Sequence, residues 1–457
     1  MASATTVESE LERRVVRKVT RRLIPFLIVA YLINYLDRTN IGFAKLTMSA
    51  DLGLTETVYG LAAGLFFIGY VLLEVPSNLA LNKFGARKWI ARIMVSWGII
   101  SSLFAFVQTP DQLVWLRVLL GLAEAGFFPG VVLYLTFWYP QRHRGKAMAF
   151  LILANPLAAV IGAPLSTAIL QYLDGVIFGI SGWRMLFLVE GFPAVLLGIM
   201  CWFYLTDRPS EAKWLNAQER DWLSAEITRE EAEKTEKFHG SVLKVLLNAR
   251  VLALGLVYFC LSYGMYSLNF FLPSIITGLQ QQFGVKFSFM DVGLITAIPY
   301  GVAAVAMVLW SLHADRTKER IWHVALPMIV GGATIPVALY MSNVFLVMAA
   351  VTVTCVGIMC TLPNFWSLPT AFLAGPAGAA AVGLINSMGA LSGFSAPYVT
   401  GWLKDGTGSS KAGLWVVGIM MVVGSLLVVY LKSRPAPRLQ APSGGTPEPS
   451  MADSSPR

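Results

Sequence analysis

Twelve stretches of the chain are each about 20 residues long and mostly apolar, and this repetition limits the fold more than any other feature. A helix of that length and composition crosses the hydrocarbon core of a bilayer. The chain is therefore predicted to be an all-α membrane protein with twelve transmembrane helices. Numbered in chain order as spans 1 to 12, the approximate positions are 24–43, 59–80, 88–107, 112–138, 147–171, 183–205, 250–278, 291–312, 322–341, 344–371, 378–403 and 412–431.

The composition supports this class of protein. Hydrophobic residues make up 56% of the 457 residues, and charged residues make up 13%, against roughly 25% in soluble domains. The net charge of +9 does not indicate nucleic-acid binding, because the basic residues are scattered over short segments between the apolar stretches. The four cysteines lie in apolar stretches without a C-x-x-C pair, so neither a metal site nor a disulfide framework is predicted.

A long polar stretch divides the twelve spans into six and six. The first residues are polar and basic with no cleavage site, so span 1 is predicted to be a true span rather than a signal peptide. We predict a cytoplasmic N-terminal segment, an N-terminal six-helix bundle, a cytoplasmic central loop, a C-terminal six-helix bundle and a disordered cytoplasmic tail. These regions cover 1–22, 23–205, 206–249, 250–432 and 433–457 respectively.

The distribution of basic residues predicts the orientation in the membrane. Cytoplasmic loops of membrane proteins carry an excess of lysine and arginine. With the N-terminus placed inside, most of the 35 lysines and arginines fall in cytoplasmic segments, so both termini are predicted to be cytoplasmic. The basic residues left in outer segments are Lys45, Arg184, Lys286, Lys404 and Lys411.

Two short loops occupy corresponding positions in the two halves and resemble a known loop motif. The segments 77–88 and 311–320 are similar to G-x-x-x-D-R/K-x-G-R/K-R/K of the major facilitator superfamily, although Asn82 stands where that motif has aspartate. This resemblance implies the major facilitator fold, in which two six-helix pseudo-repeat bundles enclose a substrate site near the membrane midplane.

Within that superfamily the chain resembles the anion:cation symporter family of organic-anion transporters. The segment 84–92 is further similar to the branch of bacterial permeases for tartrate, phthalate and related carboxylates. The residues that carry the family resemblance are 34–40, 74–78, Arg117 with Glu124, 182–191 and 206–209.

Ionisable side chains within the predicted spans are the main candidates for function, because such groups are costly in a membrane and therefore rare. The deep ones are Asp37, Arg38, Arg117 and Glu124, all in the first half. Guanidinium groups keep their protons and match carboxylates in shape, whereas a buried carboxyl can be tuned to bind and release a proton. We expect these groups to face one central cavity; the alternative is a buried ion-pair network that only fixes helix packing.

The family resemblance assigns roles to these four residues. It implies that Asp37 and Glu124 carry the coupled protons, that Arg38 binds the substrate, and that Arg117 completes the charge network as the partner of Asp37. The roles of Glu74 and Glu190, nearer the span ends, stay open, and anchoring of loops or helix ends is favoured for both. The resemblance also suggests Tyr70 and Asn155 as substrate contacts, and three uncharged residues of the second half are further candidates. For each of them the alternative is an interhelical hydrogen bond or a position at the lipid interface. These candidates are Tyr70, Asn155, Asn364, Trp366 and Asn386.

These observations predict a proton-coupled symporter of a bacterial inner membrane, functioning as a monomer without a cofactor or metal and without enzymatic activity. Its substrate is expected to be a small organic anion, a hydroxy-dicarboxylate such as tartrate or a sugar acid, taken up by alternating access. Import of an aromatic carboxylate or sulfonate, and exchange of organic anions, are the alternatives. A multidrug–proton antiporter is disfavoured by the two arginines, and a transporter-like sensor by the lack of a signalling domain after span 12.

Overall fold

The computed structural model describes residues 2–236, 246–370 and 375–433, and every regular element within them is a helix. Eleven helical segments are long and apolar enough to cross a membrane, and the less apolar helix Gly375–Thr407 supplies span 11. The predicted tail lies outside the described residues beyond Ser433. The spans of the first half are Ala2–Leu52, Glu56–Phe84, Ala86–Leu103, Pro110–Trp138, Gln141–Tyr172 and Gly182–Tyr204. Those of the second half are Ala249–Phe283, Phe289–Thr317, Ile321–Ala338, Val344–Thr370, Gly375–Thr407 and Lys411–Ser433.

Span 4 is interrupted near its middle. A first helix, Pro110–Glu124, ends at Glu124, and a second, Phe127–Trp138, begins after Gly126 in a left-handed conformation with φ +84°. A Cβ atom at Gly126 would collide with the side chain of Ser77 on span 2, so both the backbone angle and the close packing require glycine here. The break places the Glu124 carboxyl at an irregular point of the backbone, where polar groups can be satisfied inside the protein.

The polar central segment also contains structure, because it includes the helix Ala217–Glu236. Glu219 accepts a hydrogen bond from the backbone N–H of Asn216 at 3.1 Å, while the Asn216 side chain accepts one from the backbone N–H of Glu219. The Glu219 carboxylate also binds Lys18 at 2.7 Å and Arg14 at 3.3 Å on the extension of span 1. Burial opposes ionisation, but these partners hold the pKa of Glu219 below its usual range. This contact is therefore lost as the pH falls through that lowered pKa.

The two halves meet mainly at one end of the bundle. We call this the far end, where spans 1 and 2 are joined, and the opposite one the central-loop end, where spans 6 and 7 meet the central segment. At the far end the backbones are so close that a Cβ atom on Gly60 would collide with the carbonyl of Pro397, and one on Gly293 with Thr167. Nearer to the central-loop end, Asn386 of the second half donates a hydrogen bond to Glu74 of the first half. The structure is thus closed at the far end.

Candidate functional site

An ion pair between spans 1 and 4 forms the centre of the candidate site. Arg38 donates to Oε1 of Glu124 from Nε at 3.1 Å and also from a terminal nitrogen. The Glu124 side chain is fully buried, whereas that of Arg38 is 13% exposed, so Arg38 is the member of the pair that a solute can reach. Its guanidinium carbon lies 5.1 Å from the centre of the Phe66 ring and 5.2 Å from that of Tyr70. Since arginine has five N–H donors, Arg38 can bind Glu124 and still donate to a carboxylate ligand.

Asp37 points to a different part of the first half. Successive residues of a helix point about 100° apart, so Asp37 and Arg38 cannot share a direction. The Asp37 carboxylate is fully buried and accepts hydrogen bonds from Nε1 of Trp97 and Oγ of Ser101, both at 2.8 Å, with Asn40 at 3.5 Å. It therefore lies inside the first bundle, held by span 3, rather than in one chamber with Arg38 as expected.

Arg117 does not form the expected ion pair with Asp37. Its guanidinium is fully buried, and none of its three nitrogens has a hydrogen-bond partner in the described part of the chain. Its guanidinium carbon lies 5.3 Å from the centre of the Phe66 ring, which gives it a cation–π contact. The oxygens of Asp37 instead bind Trp97 and Ser101 on span 3. The positive charge of Arg117 therefore acts on Asp37 and Glu124 through space rather than through a hydrogen bond.

Two further acids have more specific contacts than loop anchoring. Glu190 on span 6 is 4% exposed and accepts a hydrogen bond from Ser166 on span 5 at 2.6 Å. Glu74 on span 2 accepts one at 2.9 Å from Asn386 on span 11 and so connects the two halves. Glu190 consequently belongs to the interior of the first bundle, and Glu74 to the interface between the bundles.

The neutral candidates divide into those near Arg38 and those elsewhere. The structure brings Tyr70 against Arg38 and binds Asn386 to Glu74. Asn155 is buried with a side-chain oxygen that lacks a partner among the described residues, so it can still accept a hydrogen bond. Asn364 instead donates to the carbonyl of Cys360 one turn earlier in its own helix, at 2.8 Å. Trp366 packs edge-on against the ring of Tyr258, with centroids 4.8 Å apart.

A neutral network that the sequence analysis did not identify joins spans 1, 7 and 8. The Asn269 amide donates to the Tyr35 hydroxyl at 2.7 Å, and the Tyr300 hydroxyl donates to the Asn269 carbonyl at 2.6 Å. All three side chains are buried. The sequence feature that could have revealed this network is the asparagine, Asn269, within the tyrosine-rich span 7. A search for ionisable groups passes over it, because all three side chains are neutral.

Comparisons with known proteins decide the family. The sequence profile of the Major Facilitator Superfamily matches residues 27–397. The chain belongs to this superfamily. A "Putative tartrate transporter" of Agrobacterium vitis is 49% identical to it, over 94% of this chain and 94% of that protein. A "Quinolone resistance transporter" of Acinetobacter baumannii is 41% identical, over 93% of this chain and 96% of the relative.

Solved structures agree on the fold of this superfamily member. A bacterial homologue of the human lysosomal transporter Spinster, in an inward-facing and occupied conformation, has a TM-score of 0.72 at 16% identity. The match covers 91% of this chain and 98% of that one. The predicted twelve-helix fold in two six-helix bundles is therefore confirmed. The chain is a multi-pass membrane transporter and not an enzyme, as the sequence predicted.

Proposed function

We propose that this transporter takes up a small organic anion together with protons, by alternating access. The observation that carries the proposal is the Arg38–Glu124 ion pair, whose arginine is reachable while its carboxylate is buried. When Glu124 is ionised, its negative charge neutralises that of Arg38 and weakens the attraction of the guanidinium for a second carboxylate. When Glu124 binds a proton, Arg38 is free to bind the anion by charge-assisted hydrogen bonds. Proton and anion therefore favour each other's binding, which is the requirement for symport.

Asp37 is the second proton site in this proposal. Its partners Trp97 and Ser101 are neutral donors, so they can hold the carboxylate in place without supplying a compensating positive charge. Arg117 acts as the charge-network residue, which supplies a buried positive charge beside the carboxyls of Asp37 and Glu124. If the substrate is a monoanion, its uptake with these two protons would carry net positive charge inward. A membrane potential that is negative inside would then drive its accumulation.

The substrate is proposed to be a hydroxy-dicarboxylate such as tartrate, or a sugar acid. The 49% identity to the Agrobacterium vitis relative supports tartrate-type anions. Hydroxyl and amide groups suit the hydroxyls of such an acid, and Tyr70, Asn155, Asn364 and Asn386 would supply them. The indole of Trp366 would cover its apolar face. Both termini and the central loop are proposed to lie in the cytoplasm, as the distribution of lysine and arginine predicts, so that the closed far end would face outward from the bacterial inner membrane. One chain is proposed to work alone.

A second candidate function follows from the Acinetobacter baumannii relative. Its 41% identity supports transport of an aromatic carboxylate of the quinolone type. The aromatic rings beside Arg38 would stack on such a molecule, while the guanidinium would bind its carboxylate.

Uptake into proteoliposomes distinguishes these proposals. We expect labelled tartrate to accumulate above its external concentration when the lumen is more alkaline than the medium, and to leak out when a protonophore is added. Unlabelled tartrate, a sugar acid, phthalate and a fluoroquinolone are then compared as competitors. Competition by the quinolone alone would favour the second candidate. Entry of tartrate only against preloaded anion, with no response to the pH gradient, would contradict symport and indicate an exchanger.

A further inference from the structure

Glu56, the first residue of span 2, binds a lysine from each half of the transporter at the far end. One carboxylate oxygen binds Lys45 on span 1, and the other binds Lys404 on span 11. The Lys45 side chain is 5% exposed, and its ammonium lies 4.4 Å from the ring centres of both Tyr59 and Phe271. Glu56 and Lys404 are partly exposed, at 24% and 28%. The carboxylate thus joins the two halves at a half-buried position, where charge-assisted hydrogen bonds are stronger than at an open surface.

Asp405, next to Lys404, caps the helix of the opposite half. Its carboxylate accepts from the backbone N–H of Glu56 at 3.2 Å, and from the backbone N–H and side-chain hydroxyl of Thr57 at 2.8 and 2.6 Å. The first N–H groups of a helix have no partner within it and carry a partial positive charge. Span 11 therefore supplies the anion that the start of span 2 requires.

The backbones of these two helices lie in contact just beneath the charges. A Cβ atom on Gly401 would collide with the carbonyl of Glu56. Span 2 also contacts span 7 of the second half here, where the Tyr59 hydroxyl donates to the carbonyl of Phe270 at 3.0 Å. Any separation of the halves at the far end must therefore break the contacts of Glu56 and Asp405 across the interface.

We propose that these charged residues form a reversible latch that holds the far end closed and is broken once in every transport cycle. The far-end latch consists of Lys45, Glu56, Lys404 and Asp405. It goes beyond the proposed uptake function, because it concerns the conformational equilibrium and does not depend on which solute is carried.

The charges of the far-end latch are divided so that opening leaves neither half with a net charge. The first half keeps Lys45 with Glu56, an ion pair within that half. The second half keeps Lys404 and Asp405, which are neighbours on one helix. A carboxylate or ammonium left alone in a half-buried site would make opening costly. This division instead limits the loss to the contacts that cross the interface, so the latch can open and close. These are the contacts of Glu56 with Lys404, of Asp405 with the start of span 2 and of Lys45 with Phe271.

The distance between spin labels at the far end tests the latch. Gln108 and Lys286 are exposed loop residues of the first and second halves at that end, and both can be changed to labelled cysteine because the four native cysteines are buried. In full-length protein in nanodiscs, we expect mainly a short distance. Lys404→Met and Asp405→Asn should each raise the ratio of the long to the short distance about tenfold, as expected for one lost charge-assisted hydrogen bond.

Matched variants separate a latch from general destabilisation. Lys404→Arg should keep the short distance, because it keeps the charge. Lys411→Met, which removes an exposed lysine at the same end outside the latch, should also keep it. Glu56→Gln tests the same contact from the other half, should Lys404→Met fail to fold. Unchanged distances in Asp405→Asn and Glu56→Gln, or equal opening by Lys411→Met, would overturn the proposal.

Discussion

Glu124→Gln is expected to reduce pH-driven accumulation of the anion to the level of liposomes without protein. Glutamine keeps the size and one hydrogen-bond acceptor of the side chain, but it cannot bind or release a proton. Arg38 then has no competing carboxylate, so anion binding should persist, and exchange of internal for external anion should continue. The measurement is uptake of the labelled anion with an alkaline lumen, beside counterflow at equal pH.

Glu211→Gln is the matched control for this experiment, because Glu211 is exposed in the central segment and the same chemical change there should leave uptake intact. Glu124 would lose its assigned role if Glu124→Gln accumulated the anion with the pH dependence of the unchanged protein. Asp37 would then be the next residue to test.

Arg38→Ala is expected to weaken anion binding by roughly thirtyfold or more. Removal of one partner of a desolvated, charge-assisted contact costs about 2 kcal/mol or more, which corresponds to that factor in the dissociation constant. The change also leaves the buried Glu124 carboxylate without its ion-pair partner. Binding is measured by equilibrium titration of the purified protein in nanodiscs, and the melting temperature of each variant is recorded beside it.

Arg92→Ala provides the control for the loss of an arginine, since Arg92 is exposed and packs on the ring of Trp89, 4.1 Å from its centre. Arg38→Lys, which keeps a charge without the planar fork, is expected to bind with intermediate affinity. Near-normal affinity in Arg38→Ala would place the anion on another group, and Arg117 is the buried guanidinium available for it.

The sequence was sufficient for the fold, for physical reasons. Apolar stretches of about 20 residues have few stable arrangements in a bilayer, so the spans could be counted from composition alone. Charged groups in spans are too costly to face lipid, so Arg38 and Glu124 were expected to lie inside the protein, but the sequence did not predict that these two bind each other.

The partners of Asp37 and Arg117 could not be predicted in the same way. They depend on how spans 1, 3 and 4 are rotated about their axes, and a change of one residue moves a side chain by about 100°. The indole of Trp97 and the hydroxyl of Ser101, rather than Arg117, reach Asp37 in the structure. A pattern of charges identifies which groups must be compensated, but it does not choose between a charged and a neutral partner.

Sequence reasoning also missed the contacts between neutral side chains and the contacts between the ends of spans. Asn269 has no charge to mark it among the apolar residues of span 7, although it links spans 1 and 8. Lys404 had entered the sequence argument only as a basic residue on the outer side, while its contact with Glu56 depends on the approach of spans 2 and 11. Contacts between residues 348 positions apart are set by the packing of the two halves, which one sequence does not specify.

Whether protons move together with the anion is the sharpest test of proton-coupled symport through Glu124. Proteoliposomes containing a trapped pH-sensitive dye are prepared with equal pH on both sides, and the anion identified by the uptake comparison is added outside. We expect acidification of the lumen at the rate of anion entry, and we expect this acidification to be lost in Glu124→Gln. Entry of the labelled anion at full rate with no change in lumenal pH would contradict proton coupling through Glu124.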